Sequence, residues 1–293
     1  MVTRSQGWTS SDVDRLLPVW ASRAVAVLCA VAVVVPVGYM LLLSVTPDAN
    51  VALGDVSLWN LDFGNYLTMW SQAPLASGLL NTLIISGLAA LVSVVLGSLA
   101  AYPLARYGFR GQKGFLYSLL ATQTVPGATL LLPIFVVFSW LQTFLGITFI
   151  GSYYTIILTY MTFGLPLSTW LMVSYMRTIP KELEEAALVD GCTRTGALFR
   201  VVLPIAVPAM VVAFVFAFLV GWNDVLFASV LTRSGTQTLA IAMDQFANTS
   251  AGSGIPLYGQ LMAAGVVSSL PVVVLYLLFQ RRMVEGLSAG AVK

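Results

Sequence analysis

Only 9% of the 293 residues are charged and 58% are hydrophobic, which gives a mean hydropathy of +0.90. Soluble domains carry roughly 25% charged residues, so a chain this poor in charge needs lipid as part of its solvent. The net charge of +2 and the absence of a block of like charges argue against a nucleic-acid partner. The chain has no histidine, and its two cysteines, Cys29 and Cys192, lie far apart. It therefore offers no metal-ligand cluster and no disulfide framework.

Charge-free stretches long enough to cross a bilayer recur along the chain. Because about 20 helical residues cross the hydrocarbon core, the 63 uncharged residues from 114 to 176 should hold two spans, divided near 146–152. The sequence thus predicts an all-α membrane protein with an N-terminal segment 1–23 and a transmembrane domain 24–293. The six predicted spans cover about 24–47, 79–105, 115–143, 152–176, 201–223 and 258–280. Four prolines are expected to bend these helices: Pro126, Pro133, Pro166 and Pro271.

The positive charges predict how the chain crosses the membrane. With the N-terminus in the cytoplasm, 13 of the 14 lysines and arginines lie on the cytoplasmic side, and only Arg233 lies outside. This alternation requires an even number of spans and places both termini in the cytoplasm. Two segments, 48–78 and 224–257, are then outer loops, and the strongly charged segment 177–200 is an inner loop.

The inner loop carries the signals of a helix, a turn and a second helix. Pro180 suits a first helical turn, and the dipole of a helix favours acidic residues near its start. Three such residues follow: Glu182, Glu184 and Glu185. Gly191 is suited to the left-handed residue that ends a helix, and Thr193 to the N-cap of the next one.

The same loop resembles that of a known transporter family. Glu185-Ala186-Ala187, Gly191 after three residues, and Val201-Val202-Leu203-Pro204 after nine more look like the "EAA" loop of permease subunits of binding-protein-dependent ATP-binding-cassette importers. Val201 stands where isoleucine is usual. The chain further resembles the carbohydrate branch, in particular the smaller six-span membrane subunit of maltose-type transporters. That resemblance includes Phe163-Gly-Leu-Pro166, Trp222-Asn223-Asp224 and the tail 279–293.

The resemblance implies a type I importer permease fold, a cytoplasmic coupling loop and a set of partners. Five residues would couple this chain to an ATPase: Glu185, Ala186, Ala187, Asp190 and Gly191. The implied partners are a second, unlike permease subunit, a dimer of ATP-binding-cassette ATPases, and an extracytoplasmic solute-binding protein or lipoprotein. The implied location is a bacterial or archaeal cell membrane.

The lysines independently argue that ATP is hydrolysed by another subunit. A phosphate-binding loop of the Walker type ends in Gly-Lys-Ser/Thr. None of the three lysines, Lys113, Lys181 and Lys293, follows a glycine. We therefore expect that this chain binds no cofactor, and that ATP and magnesium bind to the partner ATPase.

Polar residues in or beside the spans are candidates for a solute pathway. They are Asn81, Gln123, Thr124, Asn223 and Asp224. Hydrogen bonds between helices explain such residues equally well. The resemblance favours a carbohydrate as solute, with glycerol-phosphate or another polar solute as the alternative. An ion-coupled secondary transporter is disfavoured because the predicted spans hold no Asp, Glu, Lys, Arg or His, and a membrane enzyme because no nucleophile–base pair is recognisable.

Overall fold

The computed structural model describes residues 19–57, 59, 61–252 and 256–291. Most of the predicted N-terminal segment 1–23, and the end of the tail at 292–293, lie outside the described residues. The longer helices are α1 (Val19–Ser44), α4 (Leu75–Arg106), α5 (Gln112–Thr122), α6 (Gly127–Leu145), α7 (Tyr153–Met176), α10 (Leu203–Trp222), α12 (Leu239–Gly252) and α13 (Tyr258–Ala291). The shorter ones are α2 (Asp48–Leu53), α3 (Asn65–Thr68), α8 (Lys181–Val189), α9 (Arg194–Ala197) and α11 (Leu226–Leu231).

Six helical segments of the described chain are long and apolar enough to cross a membrane, as the sequence predicts. They are Val19–Ser44, Leu75–Arg106, Gly127–Leu145, Tyr153–Met176, Arg194–Trp222 and Tyr258–Arg282. The all-α fold with six candidate spans is therefore confirmed. The first span begins before Arg23, five residues earlier than the predicted start at 24.

The third predicted span, 115–143, is not one helix. The chain leaves the helical path between Thr122 and Gly127, which separates α5 from α6. Pro126 has φ −57° and ψ 127° and precedes the first turn of α6. Proline disfavours a helical conformation in the residue before it, so the helix ends instead of bending. The prediction of a continuous span, with Pro126 only as a bend, is wrong here.

The described residues divide into two compact units. One unit comprises the chain up to Thr68 together with Ser250–Val266. Within it, the carboxylate of Asp48 accepts hydrogen bonds from the N–H groups of Gly259 (2.7 Å) and Gln260 (3.3 Å) in the first turn of α13. Asn65 is buried and donates to the carbonyls of Ser44 and Thr46. These bonds join the predicted outer loop 48–78 to the ends of two spans.

The second unit, Met69–Thr249 with Val267–Lys293, is built around α4, α7 and α10. These three helices touch through glycine, serine and threonine. A Cβ on Gly97 of α4 would lie 3.0 Å from the backbone nitrogen of Thr169 in α7, and one on Gly221 of α10 would lie 2.6 Å from Oγ of Ser86. In a bilayer, where lipid is as apolar as leucine, such close approach of small residues drives helix association.

Candidate functional site

The inner loop forms the helix and turn that its sequence predicts. Pro180 is the residue before α8, so it lies one position outside the first turn. Gly191 ends the helix with φ +88°. The N–H of Cys192 donates to the carbonyl of Ala187 (2.9 Å), and that of Gly191 to the carbonyl of Leu188 (3.1 Å). This bond pattern is a Schellman motif, which requires a left-handed residue at the position of Gly191.

The second half of the inner loop does not form the separate short helix that the sequence predicts. Thr193 caps α9 as predicted, because its Oγ1 accepts from the N–H of Gly196 at 3.1 Å. A π-helical turn, Leu198–Val202, then joins α9 directly to α10, so that Arg194–Trp222 forms one long segment. Pro204 lacks an N–H group, which leaves a carbonyl of the preceding turn without its usual partner, and a wider turn accommodates this.

The predicted coupling residues lie mostly on one exposed surface. Four of the five are exposed: Glu185, Ala186, Asp190 and Gly191. Ala187 is buried and points toward the protein interior. Leu183 and Val189 are exposed on the same helix, and Val189 retains 87% of its surface. We call the exposed residues 183, 185, 186 and 189–191 the α8 surface. It combines small, apolar and acidic groups.

A buried ion pair that the sequence analysis missed lies behind the α8 surface. Glu184 is 8% exposed, and its Oε2 lies 3.0 Å from Nε of Arg106 at the end of α4. The hydroxyl of Tyr102 donates to the other carboxylate oxygen. Arg106 also donates from Nη1 to the carbonyl of Ile179 (3.0 Å), just before α8. The beginning of α8 is therefore fixed to the end of α4 by charged and polar contacts.

A cavity of about 270 Å³ lies where the third span is broken. Its wall consists of residues from the break and the helix ends beside it, from α7, from the end of α10 and from the chain that follows α10: Thr122, Gln123, Val125, Gly127, Tyr160, Phe163, Val220, Asp224 and Phe227. Non-helical backbone at membrane depth is tolerated only where protein buries it or where it lines a water-filled cavity. The location of the break beside this cavity fits that rule.

Two of the five predicted pathway residues, Gln123 and Asp224, line this cavity. Nε2 of Gln123 donates to the carbonyl of Phe163 at 2.7 Å. Oδ2 of Asp224 accepts from the hydroxyl of Tyr160 (2.9 Å) and from the N–H of Ala228 (3.0 Å). Burial raises the pKa of the Asp224 carboxyl above its usual range, while the N–H of Ala228 acts in the opposite direction.

The other three predicted pathway residues do not line it. Asn81 is buried, donates to the carbonyls of Gly235 (3.0 Å) and Gln237 (2.9 Å), and accepts from the hydroxyl of Tyr153 (2.7 Å). Its amide therefore joins α4 to the segment between α11 and α12. Thr124 and Asn223 are exposed, and their side chains donate to the carbonyls of Ala121 and Leu219.

Known proteins with similar sequences and folds are transport subunits. The trehalose transport system permease protein SugB of Mycobacterium tuberculosis is 33% identical over 88% of this chain and 92% of its own length. The trehalose/maltose transport system permease protein MalG of Thermococcus litoralis is 32% identical over 92% of this chain and 94% of its own length. A chain of a bacterial ABC transporter that imports the acidic polysaccharide alginate has the same fold, with a TM-score of 0.72. It is 19% identical, and the alignment covers 94% of this chain and 99% of that one.

The family model for the inner membrane component of binding-protein-dependent transport systems matches residues 93–288. That range contains the broken third span, the cavity and the whole of α8 with its turn. This protein therefore belongs to the family of inner membrane components of binding-protein-dependent transport systems, and it is a permease subunit of an ABC importer.

Proposed function

We propose that this chain forms one half of the translocation pathway for a carbohydrate. Two relatives that cover most of the chain are named for trehalose or maltose transport. The cavity at the broken third span combines an amide, a carboxylate and hydroxyl groups with the rings of Tyr160, Phe163 and Phe227. Such a mixture offers hydrogen bonds to hydroxyl groups and apolar faces to a sugar ring. The location of this cavity beside the broken span is the observation that carries the proposal.

The α8 surface is proposed as the place where a separate ATPase docks. The chain has no Walker lysine, so its transport work must be driven through contact with another subunit. The exposed small residues Ala186 and Gly191 allow close approach of a partner backbone, and Glu185 and Asp190 supply charge for a basic partner residue. ATP and magnesium bind to that partner in this proposal.

Two further partners and a second ATPase protomer complete the proposed assembly. A second, unlike permease subunit supplies the other half of the pathway, the ATPase acts as a dimer, and a solute-binding protein or lipoprotein delivers the sugar. A binding protein is expected because the family consists of components of binding-protein-dependent transport systems. An asymmetric binding protein cannot engage two identical sets of outer loops equally, which favours two unlike permeases. The distribution of positive charge supports a cytoplasmic location for both termini.

Glycerol-phosphate is the alternative solute. It would call for a free cation on the outer face, where the charge distribution places only Arg233. Nη1 of Arg233 donates to the carbonyls of Val230 (3.1 Å) and Thr232 (2.8 Å), which leaves only part of this guanidinium to bind a phosphate. The ion-coupled alternative is set aside because the chain belongs to a binding-protein-dependent family.

Purification of the complete assembly tests this proposal. Native mass spectrometry should find one copy of this chain with one different permease and two ATPase protomers. ATP hydrolysis in proteoliposomes should then rise when the binding protein is loaded with a di- or oligosaccharide, and should not rise with glycerol-phosphate. Two copies of this chain without another permease, or stimulation by glycerol-phosphate alone, would contradict the proposal.

A further inference from the structure

We propose that the buried group of Glu184, Arg106 and Tyr102 is a positioning latch that makes α8 move together with α4. The inference rests on the proposed docking of an ATPase at the α8 surface. It assigns Glu184 and Glu185 different tasks, although they are neighbours. Glu185 faces the partner, whereas Glu184 fixes the helix that carries Glu185 to a membrane span.

The latch holds both the helix α8 and the chain that leads into it. Arg106 contacts the carboxylate of Glu184 through Nε and the carbonyl of Ile179 through Nη1, each at 3.0 Å. These two acceptors lie on either side of the N-cap residue Pro180. One guanidinium thus holds the start of α8 at two points, by an ion pair with Glu184 and by a hydrogen bond to Ile179.

Tyr102 extends the latch to the second half of the inner loop. Its hydroxyl contacts the carboxylate of Glu184 and lies 3.3 Å from the carbonyl of Arg194, the first residue of α9. The guanidinium of Arg194 lies 5.2 Å from the centre of the Tyr107 ring, which follows α4. Both parts of the coupling loop are therefore connected to the same end of α4.

The opposite end of α4 is also held by a buried polar side chain. Asn81 fixes the segment around Gly235 and Gln237 through two hydrogen bonds. At 1.5 Å per residue, Asn81 and Arg106 are separated by roughly 38 Å of continuous helix. A displacement of α8 that carries α4 with it would reach this distant segment without any change inside the helix.

Stability alone is a weak explanation for the latch. Replacing a buried ion pair by apolar side chains of similar volume is often neutral or stabilising, whereas removing one partner leaves an uncompensated charge. An ion pair at this site is better suited to specifying one arrangement of α8 relative to α4 than to stabilising the fold. This difference allows positioning and stability to be separated by experiment.

The test uses the complete transporter with binding protein in proteoliposomes. The double variant Glu184→Leu/Arg106→Met removes both charges and keeps apolar volume, and Glu182→Gln changes an exposed acid in the same turn as the control. We expect the double variant to assemble and melt like the wild type, but the number of sugars imported per ATP should fall about tenfold, within the usual range of coupling between sites. The control should keep the wild-type ratio. An unchanged ratio in the double variant would overturn the latch.

If the double variant does not assemble, the variant Tyr102→Phe tests the latch in its place. It removes the phenolic hydroxyl and keeps the ring, and we expect import per ATP to fall about threefold. Wild-type import per ATP in this variant would overturn the proposal.

A distance measurement separates failure of the latch from failure of the proposed function. Spin labels are attached to Phe109→Cys and Lys181→Cys in a chain whose Cys29 and Cys192 are replaced by serine. The latch predicts one distance between the labels, with and without ATP, and a second population in Tyr102→Phe. A distance that changes with ATP in the otherwise wild-type chain would overturn the latch whatever solute is carried. Constant distances without stimulation by any sugar would instead contradict only the carbohydrate assignment.

Discussion

Gly191 both adopts a left-handed backbone conformation and belongs to the α8 surface. Its φ of +88° lies in the region that residues with a Cβ rarely adopt. A Cβ at this position would meet no atom of the chain within 4 Å. Space beside Gly191 is therefore open to a partner subunit, and a substitution acts on the backbone and on that partner, not on the core.

We expect Gly191→Asp to uncouple ATP hydrolysis from transport. The side chain strains the left-handed turn by about 1 kcal/mol and occupies the space proposed for the ATPase. Sugar-stimulated hydrolysis by the purified assembly should fall about tenfold or more. Gly146→Asp is the matched control, because Gly146 also ends a helix with positive φ (+67°) and has an open surrounding. Equal losses in both variants would assign the effect to strain, and full activity of Gly191→Asp would contradict the coupling role.

Sequence patterns predict the local features of the inner loop but not its buried contacts. Gly191 and Thr193 were recognisable because a Schellman turn and an N-cap depend on residues a few positions apart. Glu184 stood beside Glu185 with no local signal to distinguish them. Its burial depends on Tyr102 and Arg106, about 80 residues earlier in the chain. Likewise, the two carbonyls to which Asn81 donates belong to residues more than 150 positions later in the chain.

At the scale of elements, close contact of small residues decides how α4, α7 and α10 pack. A Cβ on Gly164 of α7 would lie only 2.9 Å from Oγ of Ser93 in α4, which is too close for an ordinary contact. Together with Gly97 and Gly221, Gly164 lets three backbones approach within a distance that any larger side chain would prevent. At these three glycines the backbones are too close for large side chains to interdigitate. The helix contact there therefore depends on the absence of a side chain.

Gly97→Ala should separate α4 from α7. The added methyl group would lie 3.0 Å from the backbone nitrogen of Thr169, and overpacking of this kind costs about 1–3 kcal/mol. The measurement is the midpoint of thermal unfolding of the purified assembly in detergent. Gly87→Ala on the same helix is the control, because its Cβ would meet nothing within 4 Å. Helix propensity should make that variant neutral or slightly more stable. A midpoint for Gly97→Ala equal to that of Gly87→Ala would contradict the packing argument.

The number of spans follows from composition, whereas the break in the third span does not. Hydropathy identifies a segment without stating whether it is one helix, since residues 115–143 are uncharged throughout and mostly apolar. Pro126 marked the position, but proline bends many membrane helices without ending them. Here the ending is supported by a contact with another element, the bond from Gln123 to the carbonyl of Phe163.

For the whole molecule, the charge distribution predicts a topology with both termini in the cytoplasm. Single cysteines replacing Ser71, Ser234 or Gly111 in a chain without Cys29 and Cys192 test it in intact cells. An impermeant thiol reagent should label Ser71→Cys and Ser234→Cys, and should label Gly111→Cys only after the membrane is permeabilised. All three positions are exposed, so burial does not explain a lack of labelling. Labelling of Gly111→Cys alone in intact cells would reverse the topology.

The broken third span also constrains the order of events during synthesis. α5 has 11 residues, so its length of roughly 16 Å covers about half of the hydrocarbon core, whereas α6 with 19 residues covers nearly all of it. A nascent chain that has exposed only α5 therefore cannot complete a crossing, which has to wait until α6 has been made. The bond from Gln123 to Phe163 then has to wait until α7 is made. Until α7 has been made, the backbone between α5 and α6 lacks a contact that holds it in the folded protein. The rate of translation determines how long this interval lasts.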